Sequence, residues 1–214
     1  MSGRLLLFAI SMVLALFAGI LMYCCCKASG DSERNEKDAK NPSVEEWGSP
    51  MIQHKIGDLF ASNADIIAHQ VNCQGVMGSG VAKQVRMLFP GAYTNYQSAC
   101  RSVKGKTENL LGNTQLSSEN LPDGKRIYIA NMFAQNKYGY DGRQYTDYGA
   151  FRSCLAQLSI FADAIRQKSG KEPQIALPYR IGCDRGGGNW DTVYTIIEEE
   201  LGGLDVTLYE LPKM

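Results

Sequence analysis

A glycine-rich stretch between two apolar segments constrains the fold of this chain more than any other feature. Residues 65–71 (DIIAHQV) are largely apolar and predict a buried strand, and residues 71–80 (VNCQGVMGSG) follow them directly. Apolar Val81, Val85 and Leu88 then recur at helical spacing. The order of strand, glycine loop and helix indicates an α/β fold.

Two interpretations of this glycine loop are open on its own residues. Glycine lets the backbone approach a ligand where a Cβ atom would clash, and the N-terminus of the following helix favours phosphate. The same glycines would also suit a tight turn with close packing of the strand on the helix.

A second unit of the same kind favours the ligand-binding interpretation. Residues 174–179 (QIALPY) predict a short strand, and residues 180–190 form a second glycine-rich loop. A helix is predicted from Trp190 to Leu201, with Asn189 as its N-cap. Ligands of open α/β sheets bind at the carboxyl ends of the strands. Two opposed glycine loops therefore predict a ligand whose diphosphate lies between them.

Four segments in this order resemble the motifs of macrodomains. They are residues 56–60 (IGDLF), 71–80, 129–133 (IANMF) and 181–190. The closer likeness is to the bacterial and phage type and to the small ADP-ribose-1''-phosphate phosphatase-like macrodomains. The resemblance implies a three-layer α/β/α sandwich with a central mixed sheet that binds ADP-ribose, and it needs no cofactor.

The chain divides into three regions. Residues 1–27 contain an uncharged apolar run from Leu5 to Tyr23, long enough for a transmembrane helix. Residues 28–50 are polar and charged and predict a flexible linker. Residues 51–214 correspond to the macrodomain. Basic residues are more numerous after the apolar run than before it, which predicts a single-pass membrane protein with a cytoplasmic macrodomain.

Three consecutive cysteines, Cys24, Cys25 and Cys26, stand at the predicted membrane boundary. They are candidates for S-palmitoylation, and they are equally consistent with small side chains that tolerate the interface. The cysteines elsewhere form no C-x-x-C pair, which favours a reducing compartment.

Composition limits the classes of binding partner that are expected. Lys plus Arg equals Asp plus Glu, so the formal net charge is zero, which argues against a nucleic-acid partner. The expected partners are ADP-ribose or a derivative, an ADP-ribosylated protein, and a membrane.

The resemblance implies roles for particular residues. Asp58 would accept a hydrogen bond from the adenine amine, although an aspartate here could also simply cap a turn. Asn72 would reach the distal ribose, or else close the strand as a turn former. Ligand contacts are implied for Asp58, Leu59, Asn72, Gly78, Ser79, Gly80, Val81, Asn131, Phe133, Gln135, Ile181, Gly182, Cys183, Gly186 and Gly187, with Arg143 a further candidate.

A hydrolase at this site would need a general base and a water near C1'' of the ribose. The candidates are Asp184 and Asp191, and also His69, although a histidine inside an apolar strand is more often structural. Related macrodomains often have a carboxylate where this chain has Asn189. Two functions stay open: a hydrolase of an ADP-ribose derivative (an ADP-ribose-1''-phosphate phosphatase or an ADP-ribosyl hydrolase), and a non-catalytic membrane-tethered reader of ADP-ribose or ADP-ribosylated proteins.

Overall fold

The structure, a computed structural model, describes residues 52–212. The predicted membrane helix with Cys24, Cys25 and Cys26, the linker at 28–50 and Met51 lie outside the described residues. Between residues 52 and 212, no helix combines the length and the apolar character needed to cross a bilayer.

Six strands and four α-helices make up the described part of the chain. The strands are β1 (Gln53–Ile56), β2 (Ile66–Asn72), β3 (Thr114–Asn120), β4 (Arg126–Gln135), β5 (Ile175–Pro178) and β6 (Val206–Glu210). The helices are α1 (Gly80–Leu88), α2 (Pro90–Ser102), α3 (Tyr148–Ser169) and α4 (Trp190–Leu201). The predicted start and end of α4 are confirmed.

The strands form one mixed sheet in the order β1-β6-β5-β2-β4-β3. The neighbouring strands pair in parallel except β3 and β4, which are antiparallel. Strand β2 lies between β5 and β4, so the loops that follow these three strands leave the same edge of the sheet. This arrangement brings the two glycine loops together.

Apolar side chains cover both faces of the sheet. One cluster joins Ile66 and Ala68 of β2 to residues of α3 and α4 such as Phe151 and Val193. The other joins Ile67 of β2 to residues of α1 and α2. Because successive residues of a strand point to opposite faces, β2 contributes to both clusters. The predicted three-layer arrangement follows from this double burial, at about 1.5–3 kcal/mol for each large apolar side chain.

Capping residues fix where the helices beside the cleft begin. The side chain of Asp147 accepts a hydrogen bond from Ala150 N at 2.8 Å at the start of α3. The side chain of Asn189 accepts one from Thr192 N at 3.0 Å at the start of α4. Each cap satisfies a backbone N–H that would otherwise lack a partner. The N-cap predicted at Asn189 is confirmed.

Candidate functional site

A cleft lies at the carboxyl ends of β2, β4 and β5, lined by the loops that follow these strands. Of the residues predicted from the sequence, the cleft is lined by His69, Asn72, Gly78, Ser79, Gly80, Val81, Gln135, Ile181, Gly182, Asp184 and Gly186. Ser79 of the first glycine loop and Gly186 of the second thus share one cavity.

Other predicted residues do not line this cleft: Asp58, Leu59, Asn131, Phe133, Cys183 and Gly187. Leu59 and Phe133 are buried in the apolar core. The carboxylate of Asp58 accepts a hydrogen bond from Phe60 N at 2.9 Å and caps a short 3-10 turn. This is the alternative that the sequence left open for Asp58, and its role towards adenine stays a prediction.

The remaining candidates outside the cleft have other partners. The Cys183 thiol is directed to Ile181 O at 3.4 Å. Arg143 forms an ion pair with Asp141 at 3.0 Å, and Gly187 packs against the backbone of Arg143. Asp191 lies in the first turn of α4 and does not line the cleft. Asp184 is therefore the sequence-predicted carboxylate that the structure brings to the cleft.

The first glycine loop, residues 73–79, is shaped by the side chain of Asn72. Its Nδ2 donates to Val76 O at 2.6 Å, and its Oδ1 accepts from Gln74 N at 2.9 Å. The hydroxyl of buried Tyr96 donates to Asn72 Oδ1 at 3.0 Å. These bonds support the turn-forming alternative for Asn72, and a contact from its amide to a ribose stays a prediction.

Helix α1 begins directly after this loop with its N-terminus at the cleft. Ser79 is the N-cap residue in an extended conformation, and its side chain makes no capping hydrogen bond. The first N–H groups of the helix therefore have no partner from the N-cap side chain. Together with the helix dipole, such groups form an anion-binding site.

The second glycine loop follows β5 and packs closely on the loop after β4. Gly182 has a φ of +74°, and a Cβ atom there would lie 2.6 Å from Gln70 Oε1. A Cβ atom on Gly186 would overlap Thr146 Oγ1 and Gly182 O. The Thr146 hydroxyl donates to Gly182 O at 2.7 Å. Glycine is therefore required for this loop to lie against its neighbours.

His69 and Asn131 form a buried pair below the cleft. Asn131 Nδ2 donates to Ala92 O and to Gln115 Oε1, both at 3.2 Å, so its Oδ1 faces His69. His69 Nε2 lies 2.7 Å from this oxygen and therefore carries the proton. Burial lowers the pKa of His69 to about 4, against the opposing effect of the Asn131 bond. This geometry favours a structural histidine, and its use as a base stays a prediction.

Gln70, the next residue of β2, points to the other side of the sheet and supports the second loop. Its Nε2 donates to Gln135 Oε1 at 2.7 Å and to Thr146 Oγ1 at 2.8 Å. Its Oε1 is buried and has no hydrogen-bond partner within residues 52–212. The sequence reasoning missed Gln70, although a glutamine inside a largely apolar strand was a usable signal.

Cationic and aromatic side chains that were not named as contacts from the sequence also line the cleft. They are Tyr138, Tyr140, Tyr179, Arg180 and Arg185. The guanidinium carbon of Arg185 lies 4.4 Å from the ring centroid of Tyr140. Because Arg185 follows β5 and Tyr140 follows β4, this contact joins the loops on either side of β2. The charged pair Asp184-Arg185 within a glycine loop was the available sequence signal.

The strand order gives the cleft two chemically different ends. At the β5 end, Tyr179 stacks on His54 of β1 with centroids 4.4 Å apart and meets Trp190 edge-on at 4.9 Å. At the β4 end, the lining consists of Gln135, Tyr138 and Tyr140 with the Arg185 guanidinium. The β5 end, the aromatic end, combines Tyr179 with Arg180, while the β4 end combines two tyrosines with the Gln135 amide and the Arg185 guanidinium.

Cysteine thiols near the cleft are buried or half-buried. Burial raises the pKa of the Cys73 thiol to about 12 and also raises that of Cys183. A protonated thiol is a poor nucleophile. Throughout the part of the chain that the structure describes, no three His, Cys, Asp or Glu residues are grouped to hold a metal ion.

The fold and the cleft define an α/β sandwich that binds its ligand at the carboxyl edge of the sheet. A solved macrodomain protein from Streptomyces coelicolor has the same fold, with a TM-score of 0.56 and 27% sequence identity over 74% of this chain and 98% of that one. The chain shares the macrodomain fold, which supports the identification that its motifs predicted.

Two curated relatives carry names that describe hydrolases. The ADP-ribose 1''-phosphate phosphatase of Meyerozyma guilliermondii is 36% identical over 92 residues, which cover 39% of this chain and 53% of that protein. A DNA ADP-ribosyl glycohydrolase of Thermus aquaticus is 29% identical over 164 residues, 75% of this chain and 41% of that protein. The chain spans about half the length of the curated relatives it matches. No family model matches the chain.

Proposed function

We propose that this macrodomain binds ADP-ribose and hydrolyses the linkage between its distal ribose and a group carried on C1''. The observation that carries the proposal is the shared cleft of the two glycine loops, with the N-terminus of α1 at its wall. A diphosphate between the loops would accept hydrogen bonds from backbone N–H groups of α1. The names of the phosphatase and glycohydrolase relatives support a ligand of the ADP-ribose type.

The two ends of the cleft fix the direction of the ligand in this proposal. The adenine would lie at the β5 end, where Tyr179 offers an aromatic surface. The distal ribose would lie at the β4 end beside Gln135, whose amide suits ribose hydroxyls. A diphosphate in the middle then meets the first helical turn of α1.

Asp184 is the residue proposed to act as the general base. It is exposed in the second glycine loop and lines the cleft. Its carboxylate would take a proton from a water molecule as the water oxygen attacks the group at C1''. For a 1''-phosphate, the water oxygen bonds to phosphorus as the phosphorus–oxygen bond to the sugar breaks. The sugar oxygen takes up the proton that Asp184 received and leaves as a hydroxyl, and inorganic phosphate is released.

A non-catalytic reader is the second candidate, and the surroundings of Asp184 favour it. The Asp184 carboxylate makes no ion pair with any residue in 52–212. Asn189, at the position where related macrodomains often have a carboxylate, instead uses its side chain to cap α4. A base without orienting partners is poorly preorganised for catalysis. A reader would need the same cleft and no base.

The deciding experiment uses the full chain. Calorimetry with ADP-ribose tests binding, with AMP and ribose 5-phosphate as half-ligand controls. Phosphate release from ADP-ribose-1''-phosphate then tests hydrolysis, and Asp184→Asn is expected to bind with unchanged affinity and release no phosphate. Binding without release by the unaltered chain would leave the reader, whereas no binding of ADP-ribose would refute both functions.

We also propose that residues 1–27 anchor the domain in a membrane as a single pass, with the macrodomain on the cytoplasmic side. The support is the uncharged run from Leu5 to Tyr23 and the basic residues after it. Full-length chain expressed in cells is expected to stay with membranes after an alkaline carbonate wash. A chain without residues 1–27 should be released, and release of the full chain would contradict the anchor.

A further inference from the structure

We infer that Arg185, held by Tyr140, is a specificity-determining residue that selects ADP-ribose ligands with a phosphate on C1''. The inference rests on the proposed function and deepens it. The Arg185 guanidinium carbon lies 4.4 Å from the Tyr140 ring centroid, and both residues line the cleft. The contact lies at the β4 end, where the distal ribose is proposed to bind.

The geometry leaves the hydrogen-bond donors of Arg185 available. A guanidinium whose carbon lies over an aromatic ring still has N–H groups that can point away from the ring. Arg185 forms no ion pair with a carboxylate between residues 52 and 212. Its planar fork matches two oxygens of a phosphate.

The charge at C1'' distinguishes the possible substrates. A 1''-phosphomonoester carries negative charge close to the distal ribose. An ADP-ribosyl group joined by an ester to a protein side chain is neutral at this atom. A cation at this end of the cleft therefore favours the phosphomonoester and gains little from the ester.

Arg180 offers a matched control within the same loop. It also lines the cleft and has no ion-pair partner in the described segment, but it has no contact with Tyr140. It directly follows Tyr179 at the aromatic end. Replacing Arg180 or Arg185 by Met removes the same charge and keeps a long unbranched side chain. A general electrostatic effect would change affinity in both variants. The loss of a specific phosphate contact would appear only in the Arg185 variant.

The test measures affinities of the full chain by calorimetry for three ligands. They are ADP-ribose, its 1''-O-methyl derivative, and a 1''-methylenephosphonate in which a CH2 group replaces the anomeric oxygen and prevents turnover. The unaltered chain is expected to bind the phosphonate about tenfold more tightly than the other two. Arg185→Met should remove this preference and leave ADP-ribose within about twofold. Arg180→Met should weaken all three ligands alike.

Tyr140 variants test whether the ring holds the guanidinium. Tyr140→Phe keeps the aromatic face and should keep the preference for the phosphonate, whereas Tyr140→Leu should lose most of it. An equal loss for all ligands in Arg185→Met, or no preference in the unaltered chain, would overturn the inference while ADP-ribose binding still stood. Failure to bind any of the three ligands would refute the proposed function itself.

Discussion

The two glycine loops use their glycines for different purposes. A Cβ atom on Gly78 would have Val76 Cγ1 as its nearest neighbour at 3.8 Å, and one on Gly80 would meet nothing within 4 Å. In the second loop, a Cβ atom on Gly182 would lie 2.6 Å from Gln70 Oε1, and one on Gly187 would lie 2.6 Å from Arg143 O. The first loop therefore leaves space beside its glycines, while the second fills that space with its own chain.

This difference assigns ligand binding to the first glycine loop and a role in folding to the second. Glycines with free space beside them keep the first loop open to a ligand, whereas the glycines of the second loop let it pack on Gln70, Arg143 and Thr146. Substitutions in the first loop should act on affinity, and those in the second should act first on stability.

Gly186→Ala is expected to have the largest effect, on folding. The new methyl group would overlap Thr146 Oγ1 and Gly182 O, one of which is backbone that cannot rotate away. Overpacking of this kind typically costs about 1–3 kcal/mol, and disruption of the Thr146 hydrogen bonds adds to it. Urea denaturation should show a loss of about 3 kcal/mol or more in the free energy of unfolding.

Gly78→Ala is the matched control, because its methyl group meets only Val76 Cγ1 at 3.8 Å. Its free energy of unfolding should stay within about 0.5 kcal/mol of the unaltered chain. Equal destabilisation by the two substitutions would refute the distinction between the loops.

Acid should lower the free energy of unfolding of the domain through His69, which lies on the side of the sheet that supports the first loop. Burial lowers the pKa of His69 from 6.5 to about 4, so the unfolded chain binds this proton more readily than the folded one. The contribution to stability is complete above pH 6.5 and is lost as the pH falls towards 4. From the shift in pKa, the loss reaches roughly 3 kcal/mol.

The measurement is the free energy of unfolding by urea between pH 4 and pH 7, compared with His69→Gln. The variant lacks the titrating group, so its stability should depend less steeply on pH over this interval. Parallel pH profiles would show that His69 protonates equally well in both states.

Much of the fold could be predicted from the sequence because its signals are local. The apolar run of β2 and the cap at Asn189 each mark a boundary within a few residues. The mixed sheet and its two covered faces then followed from the resemblance.

The site was less predictable, because the same residue type has different neighbours in the two loops. Nothing local distinguishes Gly78, beside open space, from Gly186, beside Thr146. Asn131 and Phe133 stand in a predicted motif, yet one bonds His69 and the other fills the core. Arg185 and Tyr140 lie 45 positions apart in sequence, so their contact depends on the sheet order.

Gly78→Leu should abolish binding without unfolding the domain. The side chain would extend from the exposed first loop into the cleft, where the diphosphate is proposed to lie. We expect a loss in affinity for ADP-ribose of at least about 100-fold, which is about 2.7 kcal/mol, with an unfolding midpoint close to that of the unaltered chain. Unchanged affinity would rule out the first loop as the diphosphate site.

Ser79→Ala should have the smallest effect and separates ligand contact from helix capping. The Ser79 hydroxyl lines the cleft and makes no capping bond, unlike Asn189, whose side chain caps α4. We expect unchanged stability and an affinity for ADP-ribose lower by about five- to tenfold, since one hydrogen bond to a charged phosphate is lost. Asn189→Ala, the matched cap, should instead cost about 1 kcal/mol of stability. If Ser79→Ala destabilised the domain as much as Asn189→Ala did, the hydroxyl would belong to the fold, and the division between the two loops would fail at the N-cap of α1.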